Sequence, residues 1–468
     1  MEAPFLYLGE IMENQLEKKY GLITAIAMVV GVVIGSGVFF KADDVLKLTD
    51  GNIIIALLAW AIGAFSMIFG ALCFAEFAQR IEKSNGIVDY SEAAYGKRVG
   101  YLFGWFKGIL YFPTLTAILS WVASLYTMIL LGSTNPSNGV MTWVLAAFYL
   151  FMTYAVNYYA PILAGKLQVG STIIKLIPLT LIGIVGIIFG INNGVTVANY
   201  QGALSSIGNT GGTLASAVVA TAFAYEGWIV AVTINGEIKD SKKNLPLALT
   251  IGATIIFVVY VLYFLGIAGV LPTSDIVIQG DNAVAEASTM LFGAVASTVL
   301  TLFVIISCLG TLNGLVLSTM RVPFTLAIRG HGPFPKLMQK VDCKTKMPIN
   351  STRFAVLLSS LYLILWYCSI NEVFGRFIGL DEIPIVMMYG LYILLYIWYM
   401  RTFKDLGFIK RFIVPSCAIF GALIILYGGI SNPSIGLYLL ISVSILLLGL
   451  VFYRKDAHIN VSELKQAS

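Results

Sequence analysis

Two stretches of the chain hold residue types that could do chemistry inside an apolar environment. The first reads Val33-Ile34-Gly35-Ser36-Gly37-Val38 and the second Phe223-Ala224-Tyr225-Glu226-Gly227-Trp228. Glycine tolerates non-helical dihedrals and leaves the backbone open to a ligand. A helix that unwinds at such a point frees N–H groups at the start of one half and carbonyls at the end of the other. The N–H groups, with the positive end of the dipole, attract an anion, and the carbonyls attract an ammonium. A zwitterionic amino acid offers both charges a few ångströms apart, so backbone alone can hold it without an ionised side chain in the membrane. Gly35, Ser36 and Gly37, following Ile34, are expected to hold a carboxylate, with the Ser36 hydroxyl as an added donor. Phe223, Ala224 and Tyr225 are expected to present carbonyls to the amino group, with Gly227 in the same break and the Phe223 ring as a lid. A lone GxG is explained better by close helix packing. Two breaks in corresponding places point instead to a site between repeats. Phe223 and Tyr225 keep the alternative of packing as ordinary aromatics.

Ionisable groups in apolar runs need a separate account. Glu226 could face an outer vestibule or couple an ion or proton; the favoured reading sets it at the first turn of a half-helix, where its charge suits the positive dipole end. Lys175, in Ile173-Ile174-Lys175-Leu176-Ile177-Pro178, is a functional candidate because an ammonium in the membrane is costly, the alternative being snorkelling to the interface. Lys107 is read as snorkelling at the inner end of a span, and Glu76 as interfacial. Asn313 needs a partner, which helix packing supplies as readily as function. The two histidines, His331 and His458, fall outside the spans, and no span carries a carboxylate pair or an HExxH motif. Enzyme chemistry, a metal and a cofactor are therefore not expected. A receptor or channel has no natural use for paired broken helices.

The elements that must position these residues follow from composition. Of 468 residues, 58% are apolar and 11% charged, and the mean hydropathy is +0.88. A soluble domain carries about 25% charged residues. Apolar runs of the roughly 20 residues needed to cross a bilayer recur throughout, too long and continuous for barrel strands. The expected fold is all-α and integral to the lipid bilayer, with about twelve spans: 21–46 (broken), 53–79, 99–131, 140–157, 167–191, 213–236 (broken), 245–270, 292–320, 353–370, 380–400, 412–430 and 434–453. On that layout 24 of the 29 Lys and Arg lie on one side, leaving Lys41, Lys47 and Arg376 opposite and Lys107 and Lys175 within spans. The positive-inside rule then places both termini in the cytoplasm. The basic excess is topology, so nucleic acid is not an expected partner. The five cysteines show no metal spacing and none falls in an outer loop. No cleavable leader is read at the start, and Met12 is an alternative to Met1 as the native first residue.

Several segments carry a family resemblance. Residues 31–39 (GVVIGSGVF), 75–96 (AEFAQRIEKSNGIVDYSEAAYG), 171–179 (STIIKLIPL) and 223–228 (FAYEGW) resemble the amino acid–polyamine–organocation superfamily, and within it the L-type amino acid transporters. Residues 236–249 (GEIKDSKKNLPLAL), 289–293 (TMLFG) and 308–327 (CLGTLNGLVLSTMRVPFTLA) resemble its bacterial exchanger branch. The resemblance implies a five-plus-five inverted repeat with broken helices one and six and two further C-terminal spans. The corresponding division is 1–20, an N-terminal segment; 21–191, the first repeat; 213–400, the second; 412–453, the last spans; and 454–468, a tail. It also implies sodium-independent exchange of neutral, small amino acids such as serine, threonine and alanine in the cell membrane. Proton-coupled symport and antiport of cationic amino acids or amines stay open. The family has a lysine at the position of Lys175, which the resemblance places where sodium-coupled relatives of the fold bind sodium, linking helices one, five and eight. Tyr260 matches a family tyrosine expected to bond to the unwound part of helix one. Glu82 and Asn85 depart from the usual Pro and Gly, which puts inner gating in doubt. The loop 131–140 (LGSTNPSNGV) lacks the cysteine that ties animal members to a glycoprotein, so no disulfide-linked heavy subunit is expected.

Overall fold

With no water to satisfy backbone groups in lipid, the chain closes its hydrogen bonds within helices. The computed structural model describes residues 21–35, 37–81, 86–205, 211–229 and 238–454. Ser36, Glu82, Asn85, Met1 and Met12 lie outside them. The helices are α1 (Leu22–Val33), α2 (Gly37–Leu48), α3 (Ile53–Arg80), α4 (Ile87–Tyr95), α5 (Lys97–Leu130), α6 (Val140–Tyr159), α7 (Pro161–Asn192), α8 (Val195–Ser205) and α9 (Gly211–Ala224). They continue as α10 (Ser241–Val270), α11 (Thr273–Gln279), α12 (Ala283–Ile328), α13 (Pro335–Met338), α14 (Ile349–Ile370), α15 (Glu382–Thr402), α16 (Ile409–Ile430) and α17 (Ile435–Val451).

Among the described residues nine helices are long and apolar enough to cross a bilayer, and α1 with α2, bent by 42°, makes a tenth crossing. The two other expected spans are represented by shorter apolar helices, so the count of twelve is neither met nor contradicted among the described residues. In the sixth, the apolar stretch Leu214–Ala224 is short because the chain breaks after Ala224, and residues 230–237 lie outside the description. The last, α17, has 17 residues, just under the roughly 20 a span needs. Hydropathy also missed helices set beside the spans. α8 and α11 lie in segments read as outer loops, and α4 in one read as an inner loop. α12 begins nine residues earlier than expected because a short helix abuts the span at Gly293, whose φ of 80° and ψ of 168° are not helical.

Helix contact is close where small residues face each other. Gly186 and Gly190 of α7 lie against Gly266 and Gly269 of α10; a Cβ at Gly186 would stand 2.3 Å from the Gly266 carbonyl oxygen. This is the packing use of glycine in membrane helices. The ends towards the basic side are tied by charge. Arg80 grips Asp405 with two hydrogen bonds, at 2.9 and 2.6 Å, and reaches Glu76 at 2.7 Å. Arg329 joins α12 to Asp89 and Glu92 of α4, at 2.6 and 3.2 Å. Glu76 is thus an ion-pair partner at a helix end, as an interfacial residue would be.

Candidate substrate site at the meeting of two chain breaks

α1 ends at Ile34, whose N–H still bonds to the Val30 carbonyl but whose ψ of 99° leaves the helix. α2 restarts at Gly37. α9 ends at Ala224, and residues 225–227 form a turn in which Gly227 takes φ 106°, a conformation few side chains tolerate. The two breaks touch. A Cβ at Gly37 would lie 2.6 Å from the Ala224 Cα, and one at Gly227 would lie 3.2 Å from the Val32 carbonyl oxygen. A Cβ at Gly35 would lie 2.3 Å from the Thr311 hydroxyl oxygen. Gly37 and Gly227 bring the two breaks together and Gly35 admits the Thr311 side chain, all at a cavity, whereas the glycines of α7 and α10 let two helices approach.

The cavity has about 420 Å³ of empty space, part of it open to its surroundings, and is lined by both breaks together with α5 and α12. Of the residues singled out in the sequence, Gly35, Gly37, Phe223, Ala224, Glu226 and Gly227 line it. Ile34 is wholly buried behind them. Tyr225 turns its side chain away: its hydroxyl donates to the Trp60 carbonyl at 3.1 Å and its ring stacks on Tyr260 at 5.2 Å. Its side chain therefore packs. Phe223 is 7% exposed and forms part of the wall, where a lid would sit.

Tyr260 and Lys175 brace the breaks from behind. The Tyr260 hydroxyl is 3.0 Å from both the Val33 and the Ala224 carbonyl oxygens, so one group joins the two interrupted helices. Lys175, near the middle of α7, is fully buried, which removes the snorkelling alternative. Its ammonium donates to the Gly31 carbonyl at 2.6 Å and to the Thr311 hydroxyl at 3.0 Å. It thus links α1, α7 and α12, the helices one, five and eight of the expectation. Ser307 of α12 adds a hydrogen bond to the Gly35 carbonyl at 3.3 Å. Asn313 is elsewhere. It accepts from Asn157 at 2.7 Å and donates to the Ala164 carbonyl at 3.0 Å, joining α6, α7 and α12 away from the cavity.

Glu226 lies in the second break, on the cavity wall. The Gly227 N–H bears on its carboxylate, and the half-helix expected after it lies largely outside the described residues. Oε1 accepts a hydrogen bond from the Tyr111 hydroxyl of α5, and the buried Oε2 has no hydrogen-bond partner among the described residues. A carboxylate oxygen left so is costly unless a donor visits it. Lys107 supplies compensating charge. The expectation that it snorkels is corrected: it is 4% exposed, stands 4.8 Å from the centre of the Phe112 ring, and its charge acts on Glu226. Lys107–Tyr111 is a π-helical turn, a geometry common at functional sites, placed just before Pro113, which cannot donate to a regular helix. Sequence reasoning missed Tyr111 and Thr311. The lysine and proline flanking the first were its only signal; the second had none.

Apolar spanning helices around a cavity where two broken helices meet are the construction of a membrane carrier. The chain belongs to the amino acid permease family, whose profile matches residues 20–456. It is 32% identical over 382 residues to the serine/threonine exchanger SteT of Bacillus subtilis (strain 168), covering 82% of each chain. It is 29% identical over 450 residues to the b(0,+)-type amino acid transporter 1 of Rattus norvegicus, covering 95% of this chain and 89% of the relative. It is 30% identical over 352 residues to the large neutral amino acids transporter small subunit 2 of Homo sapiens, covering 75% and 64%. The protein is thus a multi-pass membrane transporter of the amino acid class.

Proposed function

We propose that the protein is a sodium-independent exchanger of small neutral L-amino acids such as serine, threonine and alanine, working by alternating access. The observation that carries this reading is the cavity whose wall is the unwound backbone of two interrupted helices. N–H groups of the stretch Ile34-Gly35-Ser36-Gly37 take the carboxylate, and carbonyls of Phe223, Ala224 and Tyr225 take the ammonium. Lys175 supplies a tethered positive charge beside the first break, and a tethered charge cannot leave with the substrate. Binding is then not driven by a sodium gradient, and each half-cycle needs a substrate to carry. The repeat division of 21–191 and 213–400, with 412–453 added, fits breaks in corresponding places. The excess of basic residues on one side supports an orientation in the cell membrane with both termini in the cytoplasm. With no cysteine in 131–140, the exchanger has no disulfide-linked heavy subunit at that loop.

A second reading is favoured by one observation, the buried Oε2 of Glu226 at the cavity wall. A carboxylate there suits a substrate side chain with a donor, whether a hydroxyl or a cationic amine, or a proton carried with the substrate. Proteoliposomes separate these readings. Vesicles loaded with serine should take up labelled serine far faster than empty ones and be indifferent to an imposed proton gradient. Uptake that ignores internal substrate and follows the gradient would overturn exchange. Preferential uptake of lysine or a diamine, lost in Glu226→Gln, would overturn the neutral substrate class.

A further inference from the structure

Along α5 the residues Lys97, Tyr101 and Trp105 recur at every fourth position, so they share one face that leads inward from the basic end. One turn further that face reaches Gly108 and Ile109. With Trp105, these two line a second pocket, closed by Leu326 of α12, by His331 just after it and by Phe354 of α14. The pocket has about 310 Å³ of empty space, part of it open to its surroundings, and His331 is the ionisable side chain of its wall. From Lys97 to Ile109 the helix rises about 18 Å, at about 1.5 Å per residue. That is close to the depth of hydrocarbon in one leaflet, roughly 15 Å.

The surroundings are those of a bilayer interface. Leu357, one turn from Phe354 on α14, is 68% exposed, and on a spanning helix that exposure is to hydrocarbon. Phe334 and Leu337, just before and within α13, are 72% and 45% exposed, beside the exposed Lys336 and Lys340. Apolar side chains mixed with lysines in this way suit a segment lying at headgroup level.

The mouth of the pocket lacks a partner of its own. The His331 ring packs between Tyr101 and Tyr453, with ring centres 5.0 and 4.8 Å away. Its Nδ1 and the Tyr101 hydroxyl are both buried without a hydrogen-bond partner among the described residues. Such groups are costly unless a partner visits them. The charges that act on the ring are all positive, from Arg329, Lys97 and Arg454. Arg329 is held by Asp89 and Glu92, whereas Lys97 opens the α5 face and Arg454 follows directly on Tyr453. Two unpartnered polar groups, positive charge and an apolar slot one leaflet deep thus meet in one place.

We propose that this pocket binds an anionic phospholipid from the leaflet at the basic end. Its phosphate lies at the mouth, near Arg454, and accepts from the Nδ1–H of His331; one acyl chain runs along α5 over Trp105, Gly108 and Ile109. A free phosphate would leave the slot unfilled, and a zwitterionic lipid would bring a cation to a positive mouth. Gly108 and Ile109 belong to the π-helical turn that ends at Tyr111, the donor to Glu226. The chain therefore packs behind the turn that shapes the substrate cavity. The site depends neither on exchange nor on which compartment the termini occupy.

The test uses full-length protein stripped of lipid in detergent, and a phosphatidylglycerol carrying a diazirine midway along one acyl chain. After illumination the labelled positions are read by peptide mass spectrometry. Label is expected to concentrate around Ile109 and Leu326. Unlabelled phosphatidylglycerol should compete about fivefold better than phosphatidylcholine with the same chains, and inorganic phosphate should not compete. Arg454→Gln should weaken half-saturation about fivefold. His331→Phe, which keeps a ring between the two tyrosines but removes the nitrogen, should weaken it about as much. Ile109→Trp fills the slot and should abolish the labelling. Equal competition by phosphatidylcholine, or parent-like half-saturation in Arg454→Gln, overturns the anionic headgroup. Competition by phosphate overturns the lipid in favour of a free anion. Label spread evenly over exposed helix faces such as that of α6, or undiminished in Ile109→Trp, overturns the pocket. Should Ile109→Trp fail to fold, the competition series and Arg454→Gln, at an exposed residue, still decide. Labelling needs no transport, so a failure of serine exchange would sink the exchanger reading and leave these outcomes to be read.

Discussion

Lys175→Met separates the charge of this residue from its bulk. Methionine keeps the apolar stem that fills the space beside Gly310, where a glycine Cβ would stand 3.1 Å from Lys175 Cε. It loses the two hydrogen bonds, to the Gly31 carbonyl and the Thr311 hydroxyl. Each is charge-assisted and contributes about 1.5–3 kcal/mol, so about 3–6 kcal/mol is removed. Several kcal/mol are recovered, because no ammonium need be taken out of water. The folded state is therefore expected to change by no more than about 2 kcal/mol in either direction, within the spread of these terms. The tie between α1 and α12 has no such offset: the Gly31 carbonyl is left buried without its donor, at about 1–3 kcal/mol. Since about 1.4 kcal/mol is a factor of ten in rate, serine exchange should fall by about tenfold or more. The assay is counterflow in proteoliposomes, initiated from each face, beside thermal unfolding of the detergent-solubilised protein. Lys175→Ala should lose flux equally but unfold at lower temperature, since it also leaves a cavity. Wild-type flux from both faces in Lys175→Met would refute the argument, because the charge would then be dispensable.

Other outcomes follow from the same geometry. Gly37→Ala should abolish uptake with protein still in the membrane, because its Cβ would meet backbone, the Ala224 Cα at 2.6 Å, which cannot rotate aside; full uptake in membranes holding the variant contradicts it. Gly35→Val should do the same by driving Thr311 off both the break and Lys175, read as uptake per amount of membrane protein. Tyr260→Phe removes one hydroxyl bridging the Val33 and Ala224 carbonyls, about 1 kcal/mol, and should weaken apparent serine affinity about fivefold in counterflow. His331, in the segment after α12, lies 4.8 Å from the centre of the Tyr453 ring. Burial, and then the charges of Arg329, Lys97 and Arg454, push its pKa down from 6.5 to about 4. The unfolded chain therefore binds the proton first, and stability present above pH 6.5 is lost as pH falls towards 4. His331→Gln should flatten that acid-side fall in melting temperature, and an unchanged slope would contradict the assignment.

The sequence was most legible where lipid imposes one answer. A run such as 53–79 must be a helix, and α3 occupies it with only its C-terminal end displaced, by one residue. The break at 33–38 was legible because Gly35 and Gly37 interrupt an apolar run, and its partner at 223–228 because Glu226 does so. Lys175 stood out for a similar reason: a charge in a span must have a use. The rest depended on neighbours that no periodicity encodes. Thr311 is an ordinary residue of an apolar helix until the fold sets it between Gly35 and Lys175. Lys107 looked peripheral because hydropathy gives depth along a span but not which side of the helix faces inward. Short helices such as α4 and α8 carry too few apolar residues to register as spans, so they read as loops.

The glycine contact between α7 and α10 has a mechanical meaning. With Gly186 and Gly190 meeting the backbone of Gly266 and Gly269, neither helix can slide or roll without collision, and the two form one stiff strut. Lys175 projects from one member of that strut and Tyr260 from the other. Their partners on α1 are the Gly31 and Val33 carbonyls, two residues apart. The strut therefore grips the last turn of α1 like a caliper with two fixed jaws. If it tilts, both jaws move together, and the end of the half-helix is swung as a unit rather than unravelled bond by bond.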